Sequence, residues 1–349
     1  MIFDVAIIGG GPAGAATGIH LSRAGLSVAI IEATRYDTAR FGETLPPDVH
    51  PTLRDLGVWD AFLGLSPAES PGIVSVWGRD RAEEQDFVSN PHGAGWCVDR
   101  NSFDAMLLAE AVRLGAHTFT SQKAAAPERT ADGWRVGEIA ARFVVDAAGR
   151  NGLKLESRCE RRFEDVLLAI TVLVSYAGGP PSDCRTYIET APDGWWYSAV
   201  LPAGDVMAMF FTDPETYREQ GIVLGDELAA ATLTRARLAG GSIRRSQVVY
   251  APSCCRTELA GPDWLAVGDS ASCYDPLSGR GVLKALRQAR AAAQAVLTGD
   301  AEPYAKLVRE EFDHYVRQRR VYYAGERRWQ DAGFWKRRLR DATCVAEKS

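Results

Sequence analysis

The first thirty residues alternate apolar runs with small-residue turns, which is the pattern of an α/β protein. Residues 3–8 form a mostly apolar run with two isoleucines, and this run predicts a buried strand. Residues 13–25 carry small and apolar side chains and end in glycine, as a short helix does, and residues 27–31 predict a second strand. A strand, a helix and a strand in this order form a βαβ unit with parallel strands.

From Val166 to Tyr250 the pattern changes to that of strands. Apolar runs at 166–174, 195–201 and 206–211 predict an inserted antiparallel sheet, since a Pro-Ala-Gly-Asp turn signal separates the last two. Elsewhere the helical spacing of apolar residues predicts helices over 51–62, 103–114, 225–239 and 281–297, and one from Tyr304 onward.

The turn after the first predicted strand has the glycine spacing of a dinucleotide-binding loop. Gly9, Gly11 and Gly14 form a Gly-x-Gly-x-x-Gly pattern. In such loops the first glycine lets the chain turn, the second lets a pyrophosphate approach the backbone, and the third lets the helix pack on the strand. Glu32 ends the second strand eighteen positions after Gly14, where a ribose-binding acid is expected.

Two later segments point to the same ligand. Residues 140–150 end a strand with Asp-Ala-Ala-Gly-Arg, and residues 264–284 end a strand with Asp269 and open a helix with a glycine-rich turn. The carboxylate of Asp269 can bind sugar-like hydroxyls, and the turn at 279–281 can offer N–H groups to a carbonyl or an anion. A ligand long enough to reach all three segments indicates FAD rather than NAD.

Composition and charge exclude several other classes of protein. The chain has 349 residues, 46% hydrophobic and 24% charged, as in a globular enzyme of two joined domains. A net charge of −5 argues against a nucleic-acid partner, and no apolar run approaches the ~20 residues of a membrane span. Seven scattered cysteines and a strand that starts at residue 3 predict a cytoplasmic protein with neither a disulfide framework nor a metal site. The adjacent Cys254 and Cys255 suggest either a redox pair or, more simply, two half-buried thiols.

The order of these motifs resembles the flavoprotein monooxygenases of the hydroxybenzoate-hydroxylase type. The resemblance covers residues 1 to about 300 and includes an Asp-Arg pair before a helix and a Gly-Asp-Ser-Ala motif. It implies that Glu32 holds the adenosine ribose, that Asp269 holds the ribityl chain, and that Arg40 and Arg100 lie near the pyrophosphate and ribityl region. The complete predicted cofactor site consists of Gly9, Gly11, Pro12, Ala13, Gly14, Glu32, Arg40, Arg100, Asp269, Pro276, Gly279 and Gly281.

The predicted fold is α/β (α+β): a Rossmann-type FAD-binding domain with an inserted antiparallel β-sheet substrate domain and C-terminal helices. The FAD-binding domain is discontinuous and is predicted over 1–70, 96–160 and 255–300. The substrate domain is predicted over 71–95 and 161–254, and the helical segment over 301–349.

Two further stretches narrow the resemblance. Gly-Glu-Thr-Leu-Pro at 42–46 and Tyr-Asp-Pro-Leu-Ser-Gly at 274–279 are similar to a subfamily that contains the tryptophan halogenases and the maturation flavoproteins of tryptophylquinone amine oxidases. The ending at 321–338 looks most like the maturation group. A halogenase of this subfamily needs a lysine after the Gly-Glu loop, and this chain has no lysine before Lys123.

We therefore predict a monooxygenase that hydroxylates an electron-rich aromatic ring, foremost a tryptophan side chain in a peptide or protein. The resemblance implies a flavin hydroperoxide as the electrophile, so the protein must hold the ring in a dry cavity and take up a proton. Glu43 and Asp275 are the predicted catalytic residues. Trp195, Trp196 and Tyr197 are predicted to line the substrate cavity, and plain core packing is the alternative for each of them. Oxygen is a co-substrate, and electrons come from NAD(P)H or a separate flavin reductase.

Three other functions stay open: a flavin-dependent halogenase of an indole or phenol, an isoprenoid-type FAD reductase, and a non-catalytic flavin-bearing escort of a client polypeptide.

The C-terminal segment indicates what kind of partner the protein could bind. Between Arg317 and Arg340 stand nine arginines and lysines, interleaved with aromatic residues. They predict either a docking surface for an acidic peptide or protein, or a helix that wraps the cofactor domain and leaves its arginines in solvent.

Overall fold

The computed structural model describes residues 2–38, 40–155, 160–222 and 224–346, without the side chains of Gln220 and of residues from 340 onward. The chain divides into two compact units. The first unit comprises Met1–Ser66, Asp99–Phe163 and Ser253–Asp313, and the second comprises Pro67–Val98, Glu164–Pro252 and His314–Ser349. These divisions lie two to four residues from the predicted domain boundaries, but the predicted C-terminal segment is shared between the two units.

The strands alternate with helices near the N terminus and follow one another in the middle of the chain. In chain order the strands are β1 Ile2–Ile8, β2 Val28–Glu32, β3 Thr44–Leu45, β4 Ala68–Ser70, β5 Gly72–Val76, β6 Glu83–Asp86, β7 Gly95–Cys97, β8 His117–Thr120, β9 Glu128–Thr130, β10 Gly133–Val136, β11 Ile139–Asp146, β12 Arg161–Ser175, β13 Thr186–Ala191, β14 Gly194–Val200, β15 Val206–Thr212, β16 Ser242–Arg256, β17 Ala260–Gly261, β18 Trp264–Ala266 and β19 Ser272–Cys273.

The two longest described helices lie near the C terminus, at Gly281–Thr298 and Glu302–Gly325. In chain order the α-helices are α1 Pro12–Arg23, α2 Val49–Asp55, α3 Trp59–Gly64, α4 Arg100–Arg113, α5 Pro214–Thr216, α6 Leu224–Ala230, α7 Thr232–Leu238, α8 Gly281–Thr298, α9 Glu302–Gly325 and α10 Gly333–Ala346. Short 3₁₀ turns occur at Gly149–Asn151, Gly268–Ser270 and Pro276–Ser278, and a π-helical turn at Tyr217–Gly221. Among the described residues, no helix is both long and apolar enough to cross a bilayer.

Two predicted helices are each divided in the structure, so both predictions are wrong in detail. The helix predicted over 51–62 is interrupted between α2 and α3, where Gly57 adopts a φ of +70°. The helix predicted over 225–239 is interrupted between α6 and α7 because Ala231 has the non-helical angles φ −104° and ψ 88°. A single backbone residue breaks the hydrogen-bond ladder without disturbing the apolar spacing, so periodicity does not reveal it.

The core of the first unit is a parallel sheet with the strand order β18-β11-β1-β2-β8. The register places Ile8 opposite Ile31 on one side and Asp146 on the other, so three strands end at the same edge. Helix α1 packs closely on this sheet: a Cβ added to Gly18 would lie 2.6 Å from Cδ1 of Ile30. The predicted Rossmann-type arrangement is confirmed.

The second unit is built on a mainly antiparallel sheet with the order β16-β12-β15-β14-β13-β5-β6. One face is covered by α6 and α7, whose Leu228 and Leu238 pack against a core that contains Trp196 and Phe210. Trp195 lies on the opposite face, because successive side chains of a strand point in opposite directions. There it packs within a group of aromatic residues made of Trp77, Trp195, Phe211, Tyr323, Phe334 and Trp335.

Two basic residues of α10, Arg337 and Arg338, are paired with acids of the second unit. Arg338, which is 4% exposed, donates from Nε to Oδ2 of Asp165 and from Nη1 to Oδ2 of Asp213, both at 3.0 Å. Arg337 donates from Nη2 to Oδ1 of Asp213 at 2.8 Å, and Arg319 pairs with Asp165. Burial alone would raise the pKa of Asp213, but bonds from the backbone and from these arginines hold it below its usual range.

The aromatic residues of the C-terminal segment are also internal. Phe334 and Trp335 are fully buried, and Nε1 of Trp335 donates to the carbonyl oxygen of Ala191 at 2.9 Å. The segment is therefore a structural wrap in this region. It differs from the predicted wrap in two respects, because it covers the sheet of the second unit and because Arg337 and Arg338 are paired. The side chain of Arg340 lies outside the described residues.

Replacing Arg338 tests this interpretation. Arg338→Met keeps the apolar stem but leaves Asp165 and Asp213 short of a buried partner, which should lower the free energy of unfolding by about 3–5 kcal/mol. Lys336→Met is the matched control, because Lys336 is exposed two positions away and its replacement should change stability by no more than about 0.5 kcal/mol. Urea unfolding of the full chain measures both, and equal effects would contradict the structural role.

Candidate functional site

Three segments of the first unit converge on the glycine-rich loop between β1 and α1. Gly9 has a φ of +110°, and a Cβ added to it would lie 2.2 Å from the carbonyl oxygen of Ala147. A Cβ on Gly268 would lie 2.6 Å from Cβ of Ala13. The segments 3–32, 140–150 and 264–284, which the sequence predicted to share one ligand, therefore meet at this loop.

The loop fits a pyrophosphate group. A Cβ on Gly14 would lie 1.9 Å from the carbonyl oxygen of Gly9, so this glycine allows the helix to approach the strand. Gly11 is different, because it is the extended N-cap of α1 and the nearest atom to its added Cβ is Nη1 of Arg40 at 3.9 Å. Pro12 occupies the first helical turn, where a missing N–H costs nothing. The open face at Gly11 gives an anion access to the N terminus of α1.

Glu32 lies beside this loop and is already hydrogen-bonded to it. Its Oε2 accepts from the backbone N–H of Gly10 at 2.8 Å, and its Oε1 accepts from Thr34 and from Nη2 of Arg40, the latter at 2.7 Å. The carboxylate thus holds the loop in place, a role that the sequence analysis did not include. Its position at the end of β2 is where a ribose-binding acid is expected.

The two predicted arginines share one buried acid, Asp104. Arg40 donates from Nη1 to Oδ2 of Asp104 at 2.8 Å, and Arg100 donates from Nη2 to the same oxygen at 3.1 Å. Arg100 also donates to the carbonyl oxygen of Phe41. Burial alone would lower the pKa of Arg40, but the carboxylates of Glu32 and Asp104 raise it. Sequence analysis missed Asp104, although its spacing of four from Arg100 on α4 was the available signal.

Asp269 is paired with a lysine that the sequence analysis also missed. Nζ of Lys284 lies 3.0 Å from Oδ1 of Asp269, and Nε of Arg150 lies 3.6 Å from Oδ2. Lys284 is 5% exposed, donates to the carbonyl oxygen of Ser272 and lies over the ring of Tyr274. Burial alone would raise the pKa of Asp269, but the two cations hold it below its usual range. Its half-exposed carboxylate stays ionised and accessible to hydroxyl groups.

The turn that follows Asp269 is open at its glycines. Gly279 has a φ of +58°, and apart from the adjoining backbone no atom of the described residues lies within 4 Å of a Cβ added to Gly279 or Gly281. Asp275 is 1% exposed and accepts from the backbone N–H of Leu277 at 2.9 Å, so it caps the 3₁₀ turn that begins at Pro276. This bond gives Asp275 a structural role beside the predicted catalytic one.

Glu43 has the most unusual surroundings of the predicted residues. It is 3% exposed, and Oε2 accepts from the backbone N–H of Gly42 at 3.2 Å. Its Oε1 is buried and has no hydrogen-bond partner among the described residues. Burial raises the pKa of Glu43, and bonds from the backbone and the charge of Arg100 oppose this only in part. Because its pKa is raised, the ionised carboxylate of Glu43 is a stronger base than an exposed one, which suits a group that accepts and returns a proton.

The predicted aromatic cavity wall does not agree with the structure. Trp195 is fully buried, stacks on Phe211 at 4.1 Å between ring centroids and donates to the hydroxyl of Tyr323 at 3.0 Å. Trp196 is 1% exposed in the core on the other face of β14. Both tryptophans are therefore core residues, because both faces of this strand are covered. Tyr197 is half-buried on the same strand.

The fold and the glycine loop define a dinucleotide-binding flavoprotein. The chain belongs to the FAD-binding domain family, which matches residues 3–321. It is therefore an FAD-dependent oxidoreductase, and the predicted cofactor FAD and enzyme class are confirmed.

Several relatives share most of the chain. LodB of Marinomonas mediterranea, designated an FAD-dependent oxidoreductase, is 27% identical over 363 residues that cover 96% of each chain. A 1H-pyrrole-2-carbonyl-(peptidyl-carrier protein) chlorinase of Pseudomonas fluorescens is 26% identical over 365 residues, covering 90% of this chain and 79% of the relative. The flavin-dependent halogenase CmlS has a similar structure, with a TM-score of 0.84 at 23% identity over 99% of this chain and 70% of its own. The peptidyl tryptophan dihydroxylase QhpG has a TM-score of 0.73 at 24% identity over 97% and 79%.

Gly11 offers a direct test of the cofactor site. Because its added Cβ meets no close neighbour, Gly11→Val should fold normally but push a side chain into the pyrophosphate position. We expect FAD content after purification to fall at least tenfold, with the unfolding midpoint measured after FAD removal unchanged. Gly64→Ala is the control, since its Cβ also meets open space and should leave FAD bound. Full flavin occupancy in Gly11→Val would contradict the placement of the site.

Proposed function

We propose that this protein is an FAD-dependent monooxygenase that hydroxylates an electron-rich aromatic ring, and that its substrate is a tryptophan side chain in a peptide or protein. The observation that carries the proposal concerns the lysines. The first lysine of the chain is Lys123, so no lysine lies between the Gly-Glu loop at 42–46 and position 123. The resemblance requires a lysine after that loop for halogenation. The buried Lys284 does not substitute, because its ammonium group is held by Asp269 and the carbonyl oxygen of Ser272.

The chain's own residues supply binding and proton transfer in this proposal. Bound and reduced FAD supplies the activated oxygen. The loop from Gly9 to Gly14 holds the pyrophosphate, Asp269 binds the ribityl hydroxyls, and the turn at 279–281 borders the ring system. Glu43 takes up the proton that leaves the attacked ring carbon, because burial raises its pKa and so makes its carboxylate a stronger base than an exposed one.

The remaining co-substrates and the partner are part of the same proposal. Oxygen is the oxidant, and electrons come from NAD(P)H directly or through a separate flavin reductase. An acidic peptide would contact basic side chains that stay exposed in the C-terminal segment, among them Arg317, Arg327 and Lys336, together with Tyr322, which is 62% exposed. Arg337 and Arg338 are not part of this surface, since their charges are paired internally.

Halogenation is the second candidate function. It is favoured by the named activity of the Pseudomonas fluorescens chlorinase, which shares 26% identity over 90% of this chain. In that case another group must take the role of the lysine after the Gly-Glu loop.

A turnover assay separates these functions. With reduced FAD, oxygen and an acidic tryptophan-bearing peptide, we expect a product heavier by about 16 mass units per oxygen atom inserted, independent of halide. A halide-dependent product with a chlorine or bromine isotope pattern would show the second candidate to be right. Flavin reoxidation with no change in peptide mass would favour the reductase or the escort and contradict both.

Glu43→Gln tests the proton-transfer step. We expect kcat to fall by about 10²–10⁴ with unchanged FAD content, because the amide cannot accept the ring proton. In the parent enzyme the acid limb of the kcat–pH profile should lie above the usual glutamate range, since burial raises the pKa of Glu43. That limb should be absent from the variant. Glu69→Gln, a change at an exposed glutamate, is the control and should behave as the parent does. Normal turnover by Glu43→Gln would exclude this role.

A further inference from the structure

Two cysteines of the first unit face each other across a strand pair. Cys254 on β16 and Cys273 on β19 are direct partners in an antiparallel register. Directly opposed residues in such a pair have Cα atoms about 4.5–5.5 Å apart and side chains on the same face, which is within the range that a disulfide spans. Both side chains are buried, at 0% and 1% exposure, and neither is in a disulfide.

A single guanidinium group contacts both sulfur atoms. Nη1 of Arg161 lies 3.4 Å from Sγ of Cys254 and 3.6 Å from Sγ of Cys273, while Nη2 donates to the carbonyl oxygen of Ser270 at 3.3 Å. A neighbouring guanidinium favours the thiolate, which is the reactive form of cysteine.

The two thiols are unequal. The hydrogen bond from the Cys273 thiol and the charge of Arg161 lower the pKa of Cys254 against the opposing effect of burial. The same hydrogen bond and burial raise the pKa of Cys273. The surroundings therefore favour the thiolate form of Cys254 and the protonated thiol form of Cys273. This is the arrangement of an attacking and a resolving cysteine.

Cys255 is not the partner, although it is adjacent in sequence. Neighbouring residues of a strand point to opposite faces, and Sγ of Cys255 lies 3.5 Å from the carbonyl oxygen of Arg256. Burial raises the pKa of Cys255 to about 11, so it stays a thiol.

The pair is attached to the segment that the cofactor site uses. Sγ of Cys273 lies 3.0 Å from the carbonyl oxygen of Asp269, and Asp275 follows two positions later. A covalent bond at Cys273 would therefore fix the segment from Asp269 to the open turn at Gly279.

We propose that Cys254 and Cys273 form a redox-active dithiol, a modification site that hydrogen peroxide converts into a disulfide. The Cys254 thiolate attacks one oxygen atom of the peroxide, and the O–O bond breaks. This forms a sulfenic acid and releases hydroxide, which is protonated to water. The Cys273 thiol then attacks that sulfur, the S–S bond forms, and a second water leaves. The two thiols lose two electrons and the peroxide gains two. The proposal does not depend on which substrate the enzyme oxidises.

The test uses the purified flavoprotein, treated with hydrogen peroxide, quenched with iodoacetamide under denaturing conditions and digested without reduction. We expect a peptide pair linked through Cys254 and Cys273 that dithiothreitol releases. In Cys273→Ser, dimedone should label Cys254, and in Cys254→Ser it should leave Cys273 unlabelled. Cys255→Ser is the matched control, a buried neighbour whose loss should leave the cross-link intact.

Arg161→Met tests the guanidinium. Loss of its charge should raise the pKa of Cys254 and slow cross-linking near neutral pH, by about twofold once that pKa reaches the working pH and by about tenfold for each further unit. FAD content and the unfolding midpoint report whether this variant folds, and Arg161→Lys should restore part of the rate. A Cys254–Cys255 cross-link, peroxide-resistant thiols in the folded parent protein, or dimedone labelling of Cys273 alone would each overturn the proposal.

Discussion

The first unit depends on backbone approaches that leave no room for a side chain. Gly9 lies against Ala147, Gly14 lies against the carbonyl oxygen of Gly9, and Gly268 lies against Ala13. A Cβ at any of these positions would come within 2.6 Å of a neighbouring atom, closer than such atoms are found. These three approaches bring the ends of β1 and β11 and the segment after β18 to one place. Asp269, which follows Gly268, is brought beside the loop in this way.

The charges around this loop are arranged so that none of the named arginines and acids is buried alone. Arg40 joins Glu32 to Asp104, and Arg100 shares Asp104. Lys284 and Arg150 together hold Asp269. Burying one ion without its partner costs several kcal/mol, so each pair is retained as a unit and restricts the backbone that carries it. The pairs hold the acids at the ends of β2 and β18 in fixed orientations before any ligand binds.

The parts of the structure that sequence predicted correctly are those set by local patterns. The βαβ unit from β1 to β2 follows from apolar spacing and three glycines, and its ligand follows from the same residues. Partners that are distant in sequence were not predictable in this way. Arg338 meets Asp165 and Asp213 more than a hundred positions away, so this arginine of the basic segment is internal and takes no part in a docking surface. Cys254 likewise meets Cys273 through strand register and not through its neighbour Cys255.

The tryptophans of β14 show that sequence alone also does not predict how a side chain packs. An aromatic pair in a strand predicts either a cavity wall or a core, and only the elements on both sides decide between them. Here α6 and α7 cover one face, and aromatic residues of the C-terminal helices cover the other. No property of residues 195 and 196 alone distinguishes these outcomes.

Glu43 is distinguished by its location as well as by its unpaired oxygen. Leaving a buried polar atom without a partner costs about 1–3 kcal/mol, and Oε2 of Glu227 in the second unit also lacks one within the part of the chain that the structure describes. Burial raises the pKa of Glu227 to about 7, with nearby Asp193 adding to the shift, so an unpaired carboxyl oxygen by itself does not define a catalytic site. Glu43, however, follows Gly42, which has a φ of +93°, and Asp48, on the other side of the short strand β3, pairs with Arg280 in the open turn before α8. Glu43 therefore lies close in sequence to a residue that contacts the open turn before α8. This location makes Glu43 a stronger candidate for proton transfer than Glu227.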